Sequence, residues 1–248
     1  AARIAGTGQG ETGHRRPRNS RRHNHPNRNG EVRRARFADG VGDDVDDLLA
    51  LQSTLYAAPA HLVGASYGAL LALAVALRAP AQVASLILAE PPLHRWACAT
   101  EGGRRLYGAF IDGAWRPAAE AFGLGQQRRA MQLLTDGIWG QALFDTLPPQ
   151  RIAHALRNAA AMKAQLQAPL PLGDVSRRAV AQLALPVLLV NGSLCSALHR
   201  CVVDELAREL PTARRAVIEG AAHGAPFEQP RRFNEAVLAF LDGAERGP

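Results

Sequence analysis

Short apolar runs alternate with longer amphipathic segments along residues 43–248, and this alternation predicts a parallel sheet covered by helices on both faces. Buried strands are predicted at His61–Gly64, Val83–Ala89, Pro186–Val190 and Ala213–Ile218. Helices are predicted at residues 43–56, Ala69–Leu77, Asp204–Leu210 and Phe233–Leu241.

Residues 93–180 lack the strand pattern, and their apolar residues recur at a spacing that predicts three or four amphipathic helices. We therefore divide the chain into an Arg/Gly-rich irregular arm (1–42), an α/β core (43–92 and 181–248) and a helical insertion (93–180). The large apolar residues of the insertion either line a substrate pocket or pack its helices together; they are Tyr107, Phe110, Ile111, Trp115, Phe122, Met131, Leu134, Ile138, Trp139 and Phe144.

The net charge of +7 belongs to the arm, because residues 1–38 carry ten Arg and two Glu, while the rest of the chain sums to −1. A basic arm suggests binding to nucleic acid or to another anionic surface. The arm has no aromatic residue before Phe37 for stacking on bases, so nucleic-acid binding remains a remote alternative. Its pattern Gly8-Gln9-Gly10-Glu11-Thr12-Gly13 has no strand before it and no helix after it, so it is interpreted as loop.

The three cysteines, Cys98, Cys195 and Cys201, have neither the spacing of a metal site nor that of a disulfide framework. Cysteines without a disulfide pattern, together with the lack of an apolar leader in the first residues, predict a cytoplasmic protein. The longest apolar run, Ala69–Leu77, has nine residues against the ~20 of a membrane span, so no membrane partner is expected. No feature predicts a metal or an organic cofactor.

The strongest chemical signal is Gly64-Ala65-Ser66-Tyr67-Gly68, between a predicted buried strand and a predicted buried helix. G-x-S-x-G in that context is typical of a nucleophile elbow, which exposes the serine hydroxyl at the end of the strand. The two flanking glycines, Gly64 and Gly68, are expected to be required by the tight turn. The alternative is a chance pattern in a chain rich in Gly and Ala.

A nucleophilic serine needs a base, and in this chain order the base is expected in a loop after the last strand. His223 occupies that loop and is surrounded by small residues, so it is the candidate base for Ser66. The alternative is an ordinary loop histidine.

With these residues the chain resembles the α/β-hydrolase superfamily, in particular its cap-bearing, esterase-like members with a serine nucleophile. The resemblance covers roughly residues 43–242 and rests on segments including His61–Leu71 (HLVGASYGALL) and Ala89–Leu93 (AEPPL). It implies that the insertion is a helical cap. It also implies an oxyanion hole, to which the backbone N–H of Tyr67, the residue after the nucleophile, contributes one donor.

The chain departs from the family pattern at the triad acid, because Cys195 stands in the usual acid position after the third predicted strand. Some family members take the acid from the end of the preceding strand, where this chain has Glu90. The sequence leaves open Glu90 as the acid, Cys195 as a thiol partner, or no acid at all.

The residues before Ser66 show no convincing strand and no loop for the second oxyanion donor, so an N-terminally truncated hydrolase is expected. The leading hypothesis is a serine hydrolase that cleaves ester-type small molecules through an acyl-enzyme. The alternative is a non-catalytic, truncated hydrolase-like protein. The expected partner is a small-molecule substrate, and a homodimer is left open.

Overall fold

The computed structural model describes residues 41–55, 59–167 and 175–245. The glycine pattern at Gly8–Gly13 and residues 1–40 of the predicted arm lie outside the described residues. Val41 and Gly42, which the sequence assigned to the arm, are instead the first two residues of helix α1 (Val41–Leu55).

Within the described residues, four parallel strands form one sheet in the order β1-β2-β3-β4, which confirms the predicted fold class. The strands are β1 (Ala60–Ala65), β2 (Val83–Ala89), β3 (Val187–Gly192) and β4 (Arg214–Ile218). All four predicted strands are present, and their ends agree within one or two residues. Because the strands are parallel, their carboxyl ends, including the residues after β1 and β2, meet at one edge of the sheet.

Alternate residues of the central strands supply two separate apolar layers, because successive side chains of a strand point to opposite faces. Leu86 and Leu88 of β2 pack with α2 (Tyr67–Arg78) on one face. Ile87 lies on the other face and packs with α11 (Pro230–Glu245) through Phe233.

Between β2 and β3 the chain forms a layer of helices, with more segments than the three or four predicted. They are α3 (Glu101–Phe110), a π-helical turn (Ile111–Trp115), α4 (Arg116–Gly123), α5 (Gln127–Trp139), α6 (Pro149–Arg157), α7 (Ala159–Gln167) and the short α8 (Arg177–Ala181). Phe122, Met131, Leu134 and Phe144 form a core of their own here, so these four side chains pack the helices together.

Helix α9 (Ala197–Glu209) begins seven residues before the predicted start at Asp204. Ser196 caps it, since its hydroxyl accepts a hydrogen bond from the backbone N–H of His199. The predicted helix starts too late because Cys201, Val202 and Val203 are poor helix formers, and the pattern therefore does not extend back to the cap at Ser196. After β4 come the one-turn helix α10 (Ala225–Glu228) and α11. No helix of the described ranges is long and apolar enough to cross a membrane.

Candidate active site

Ser66 stands on a strained turn between β1 and α2. Its φ of 52° is positive, which is uncommon for a residue with a side chain. A hydrogen bond of 2.8 Å from its backbone N–H to the Ala89 carbonyl ties the turn to the end of β2. Strain of this kind costs of order 1–3 kcal/mol and is concentrated at functional sites, so it marks Ser66 as a candidate nucleophile.

Steric contacts require a glycine at only one of the two positions that flank the turn. A Cβ on Gly64 would lie 2.3 Å from the carbonyl oxygen of Gly68 and 2.5 Å from the backbone nitrogen of Ala69. A Cβ on Gly68 would meet no atom of the described residues within 4 Å. The expectation that the turn requires both glycines is therefore wrong for Gly68, because a Cβ there would enter open space.

Glu90 follows β2 and has the same unusual backbone, with φ of 46°. Within the described residues, Ser66 and Glu90 are the only non-glycine residues with positive φ. The side chain of Glu90 is 2% exposed. Its Oε1 accepts a hydrogen bond of 2.8 Å from the Gly192 N–H at the end of β3, and its Oε2 lies 2.7 Å from Nδ1 of His223. The carboxylate therefore bridges the third strand and the histidine loop.

His223 lies in the loop after β4, as predicted, and its side chain is 6% exposed. Glu228 fixes the loop on both sides of His223, because its two carboxylate oxygens accept hydrogen bonds from the backbone N–H groups of Ala222 (2.7 Å) and Gly224 (3.1 Å). Two rings contact the imidazole: His199 packs against it at 4.4 Å between centroids, and Trp139 contacts it edge-on at 5.3 Å.

Within the described residues, no hydrogen bond joins Ser66 to His223, although both lie at the same edge of the sheet. A contact between nucleophile and base often tightens only when substrate binds. Tyr67 is the first residue of α2, so its backbone N–H has no carbonyl partner within the helix and is available to a ligand. Its hydroxyl donates a 2.6 Å hydrogen bond to Asp44, and burial together with this bond raises the pKa of Tyr67 well above its usual value.

Within the described residues, Cys195 makes no hydrogen bond to His223. Its thiol contacts the side-chain amide of Asn191 at 3.9 Å, and the carboxylate of Glu90 is the group that reaches His223. Burial, and next the negative charge of Glu90, raise the pKa of the Cys195 thiol, so it stays protonated near neutral pH.

Sequence reasoning missed two buried histidines beside the base. His94, just after β2, and His199, in the first turn of α9, approach each other with 3.3 Å between their Nε2 atoms. Ser196 Oγ lies 2.8 Å from Nδ1 of His199. Burial lowers the pKa of His94 to about 3, and burial also lowers that of His199 well below its usual value. No sequence signal links residues 105 positions apart, so only the fold reveals this pair.

A cavity of about 490 Å³ lies between α3, the π-helical turn, α5 and the start of α9. Its walls include Leu106, Phe110, Leu133 and Ser196. The Phe110 ring contacts His94 at 4.8 Å between centroids, so the cavity adjoins the histidine cluster formed by His94, His199 and His223. Of the large apolar residues considered in the sequence, Phe110 therefore lines a cavity, whereas Trp139 contacts the candidate base.

Comparison with known proteins adds a family match and three similar proteins. A family model described as the alpha/beta hydrolase family matches residues 6–236. RutD of Agrobacterium fabrum, provisionally named a carbamate hydrolase, is 26% identical over 219 residues, which are 84% of this chain and 76% of that protein.

Among solved structures, the carboxylesterase CesB of Bacillus subtilis superposes with a TM-score of 0.56 at 19% identity, over 84% of this chain and 68% of the other. Est816, described as an N-acyl homoserine lactone degrading enzyme, superposes with a TM-score of 0.59 at 19% identity, over 85% and 77%. At these identities the two structures show the fold that the chain shares with them.

Proposed function

We propose that this chain, which belongs to the alpha/beta hydrolase family, is a serine hydrolase that cleaves ester-type small molecules through an acyl-enzyme. Its hydrolase character agrees with the names of its relatives, which include a carbamate hydrolase and a carboxylesterase. The finer assignment depends on the chemistry of the residues at the carboxyl edge of the sheet.

The observation that carries the proposal is the buried pair formed by Glu90 Oε2 and His223 Nδ1 at 2.7 Å. A carboxylate in that position accepts the Nδ1 hydrogen and leaves the lone pair on Nε2 free to take a proton. It also stabilises the imidazolium that forms during the reaction. The pair stands one strand away from the strained turn of Ser66, where a nucleophile would use such a base.

In the proposed reaction, Ser66 Oγ attacks the substrate carbonyl carbon while His223 Nε2 accepts the hydroxyl proton. The N–H of Tyr67 donates a hydrogen bond to the resulting oxyanion. The tetrahedral intermediate collapses as His223 returns the proton to the leaving alcohol. Water then attacks the acyl-enzyme by the same route and releases the acid, restoring Ser66.

The helical layer between β2 and β3 is proposed to act as the cap over this site. The cavity beside the histidine cluster has mostly apolar walls, including Leu106, Phe110 and Leu133, which suits the apolar portion of an ester. A carboxylate nucleophile, which forms alkyl-enzyme esters, is absent from the elbow because residue 66 is serine. The expected substrates are therefore carbonyl compounds with an apolar substituent.

The test is labelling of the full chain with a fluorophosphonate, with the modified residue located by peptide mass spectrometry. We expect phosphonylation of Ser66, because the probe reacts with activated serines. The label should be lost in Ser66→Ala and strongly reduced in His223→Ala. Ser53→Ala, which alters an exposed serine on α1, is the matched control and should label as the original chain does.

A folded chain that is not labelled would overturn the proposal and favour the non-catalytic alternative. Labelling that persists in His223→Ala at the original rate would show that His223 is not the base. Far-UV circular dichroism and a cooperative thermal transition establish that each variant is folded.

A further inference from the structure

The carboxyl edge of the sheet gathers more imidazole nitrogens than the proposed hydrolysis uses. One carboxylate oxygen of Glu90, one nitrogen of His199 and one nitrogen of His223 all lie within 4.8 Å of one another. Within the described ranges this is the only group of three His, Cys, Asp or Glu side chains with such spacing. The side chains of Glu90 and His223 are at most 6% exposed, and His199 is 1% exposed.

The donor set suits zinc. Imidazole nitrogen and carboxylate oxygen bind Zn²⁺ at about 2.0–2.2 Å, which places neighbouring ligand atoms of a tetrahedral ion about 3.3 Å apart. The Nε2 atoms of His94 and His199 already stand at 3.3 Å. The ligand atoms of the group are at most 4.8 Å apart, so any pair needs to shift by at most about 1.5 Å to reach this spacing, which small rotations of side chains can supply.

Two of the three ligands also have the outer partners that orient metal ligands. A His199 tautomer with its hydrogen on Nδ1 donates to Ser196 Oγ at 2.8 Å, which leaves the Nε2 lone pair free for an ion. Oε1 of Glu90 accepts the Gly192 N–H, so Oε2 is the oxygen that faces His223. Outer-shell bonds of this kind fix a ligand before the ion arrives.

We propose that Zn²⁺ binds to Glu90, His199 and His223, with His94 nearest to the fourth position, and inhibits the enzyme. Inhibition follows because the ion occupies the carboxylate of Glu90, which orients the general base, and a lone pair of the His223 imidazole, which is the general base. The inhibitory part rests on the proposed function, whereas the binding part does not.

The binding experiment uses the full chain carrying His14→Ala, His23→Ala and His25→Ala, because these three histidines of the basic segment would bind zinc elsewhere. Equilibrium dialysis against ZnCl₂ should show one tightly bound ion per chain, and Ser66→Ala in this background should bind it equally well. His199→Phe keeps a ring in the buried space and removes the ligand. We expect its affinity to fall by more than the ~10–100-fold typical of an outer-shell change.

The inhibition experiment titrates ZnCl₂ into the hydrolysis of a p-nitrophenyl ester, each variant being compared with its own metal-free rate. The background chain should lose activity and regain it with EDTA, while MgCl₂, whose ion prefers oxygen ligands, should have no effect. Ser196→Ala should raise the half-inhibiting concentration by about 10-fold, as for other outer-shell partners. His154→Ala, at an exposed histidine of α6, is the matched control and should leave it unchanged.

Equal zinc affinity in His199→Phe and its background would overturn the site. If His199→Phe does not fold, an unchanged zinc affinity in Ser196→Ala would overturn it instead. Zinc that raises the rate, in Ser66→Ala as well, would replace inhibition with metal-dependent hydrolysis. Binding without inhibition of an active enzyme would overturn the inhibitory part. Zinc binding in a chain that neither hydrolyses esters nor labels with fluorophosphonate would refute the proposed function and the inhibition that rests on it, while leaving the site standing.

Discussion

Glu90→Gln is the substitution that most directly tests how the proposed acid works, because it keeps the shape of the side chain and removes its charge. The backbone N–H of Gly192 can only donate, so the carbonyl oxygen of the new amide has to face Gly192. The amide NH₂ then faces Nδ1 of His223, which has to present a lone pair to it. The imidazole hydrogen moves to Nε2, where it blocks acceptance of the Ser66 proton.

The expected loss is large. In serine proteases the corresponding change from carboxylate to amide lowers kcat about 10⁴-fold by imposing the wrong tautomer. At 1.36 kcal/mol for each tenfold, this is about 5.4 kcal/mol of transition-state stabilisation. We expect kcat for a p-nitrophenyl ester and the rate of fluorophosphonate labelling to fall together, while KM changes little, because Glu90 holds the base rather than the substrate.

Glu205→Gln is the matched control, since Glu205 is also a buried carboxylate at 2% exposure but pairs with Arg177 and Arg208 away from the site. It should lower the melting temperature and leave the labelling rate of the folded protein unchanged. A folded Glu90→Gln variant that keeps its rate within tenfold would refute the reasoning and remove Glu90 from the proposed triad.

Three further predictions follow from the geometry. Gly64→Ala should lower the free energy of unfolding by at least ~3 kcal/mol in urea, because the new Cβ would strike backbone atoms. Gly68→Ala should raise it by ~0.5–1 kcal/mol, because the new Cβ enters open space and Ala restricts the unfolded chain. Equal effects of the two substitutions would contradict this. Leu73→Ala, at a fully buried position on α2, should cost ~2–5 kcal/mol in the same assay, and a loss below ~1 kcal/mol would disprove its packing role. Because burial raises the pKa of the Cys195 thiol, iodoacetamide should alkylate Cys195 more slowly than the more exposed Cys98, and its rate should rise only at more alkaline pH; peptide mapping showing faster reaction at Cys195 near neutral pH would contradict this.

The sequence predicted the sheet and the elbow because each of their parts is determined by a contiguous stretch of residues. Val83–Ala89 is a short, mostly apolar run rich in β-branched and aliphatic residues, which is typical of a strand between two layers, and the structure has the strand with the same ends. Ser66 lies between a strand and a helix in an unbroken stretch of chain, so its strained turn follows from local pattern. Where local pattern was ambiguous, as at the start of α9, the predicted boundary was wrong by seven residues.

The choice between Glu90 and Cys195 could not be made from the sequence. Both follow buried strands, and family resemblance offered a place for either. Their relation to His223 depends on where a loop 133 residues beyond Glu90 crosses the sheet. The structure brings Glu90 to the histidine and leaves Cys195 against Asn191, so the geometry favours the carboxylate for the role proposed above.

The sequence by itself therefore determined the parallel sheet, the position of Ser66 on its turn and the placement of His223 after the last strand, because each depends on neighbours a few residues away. Only the tertiary structure decided that Glu90 rather than Cys195 faces His223, and that His94 and His199 lie beside it with a cavity next to them. The physical reason is that hydrogen bonds and ring contacts between segments more than a hundred residues apart are set by how strands and helices stack. No local pattern of apolar and polar residues encodes that stacking.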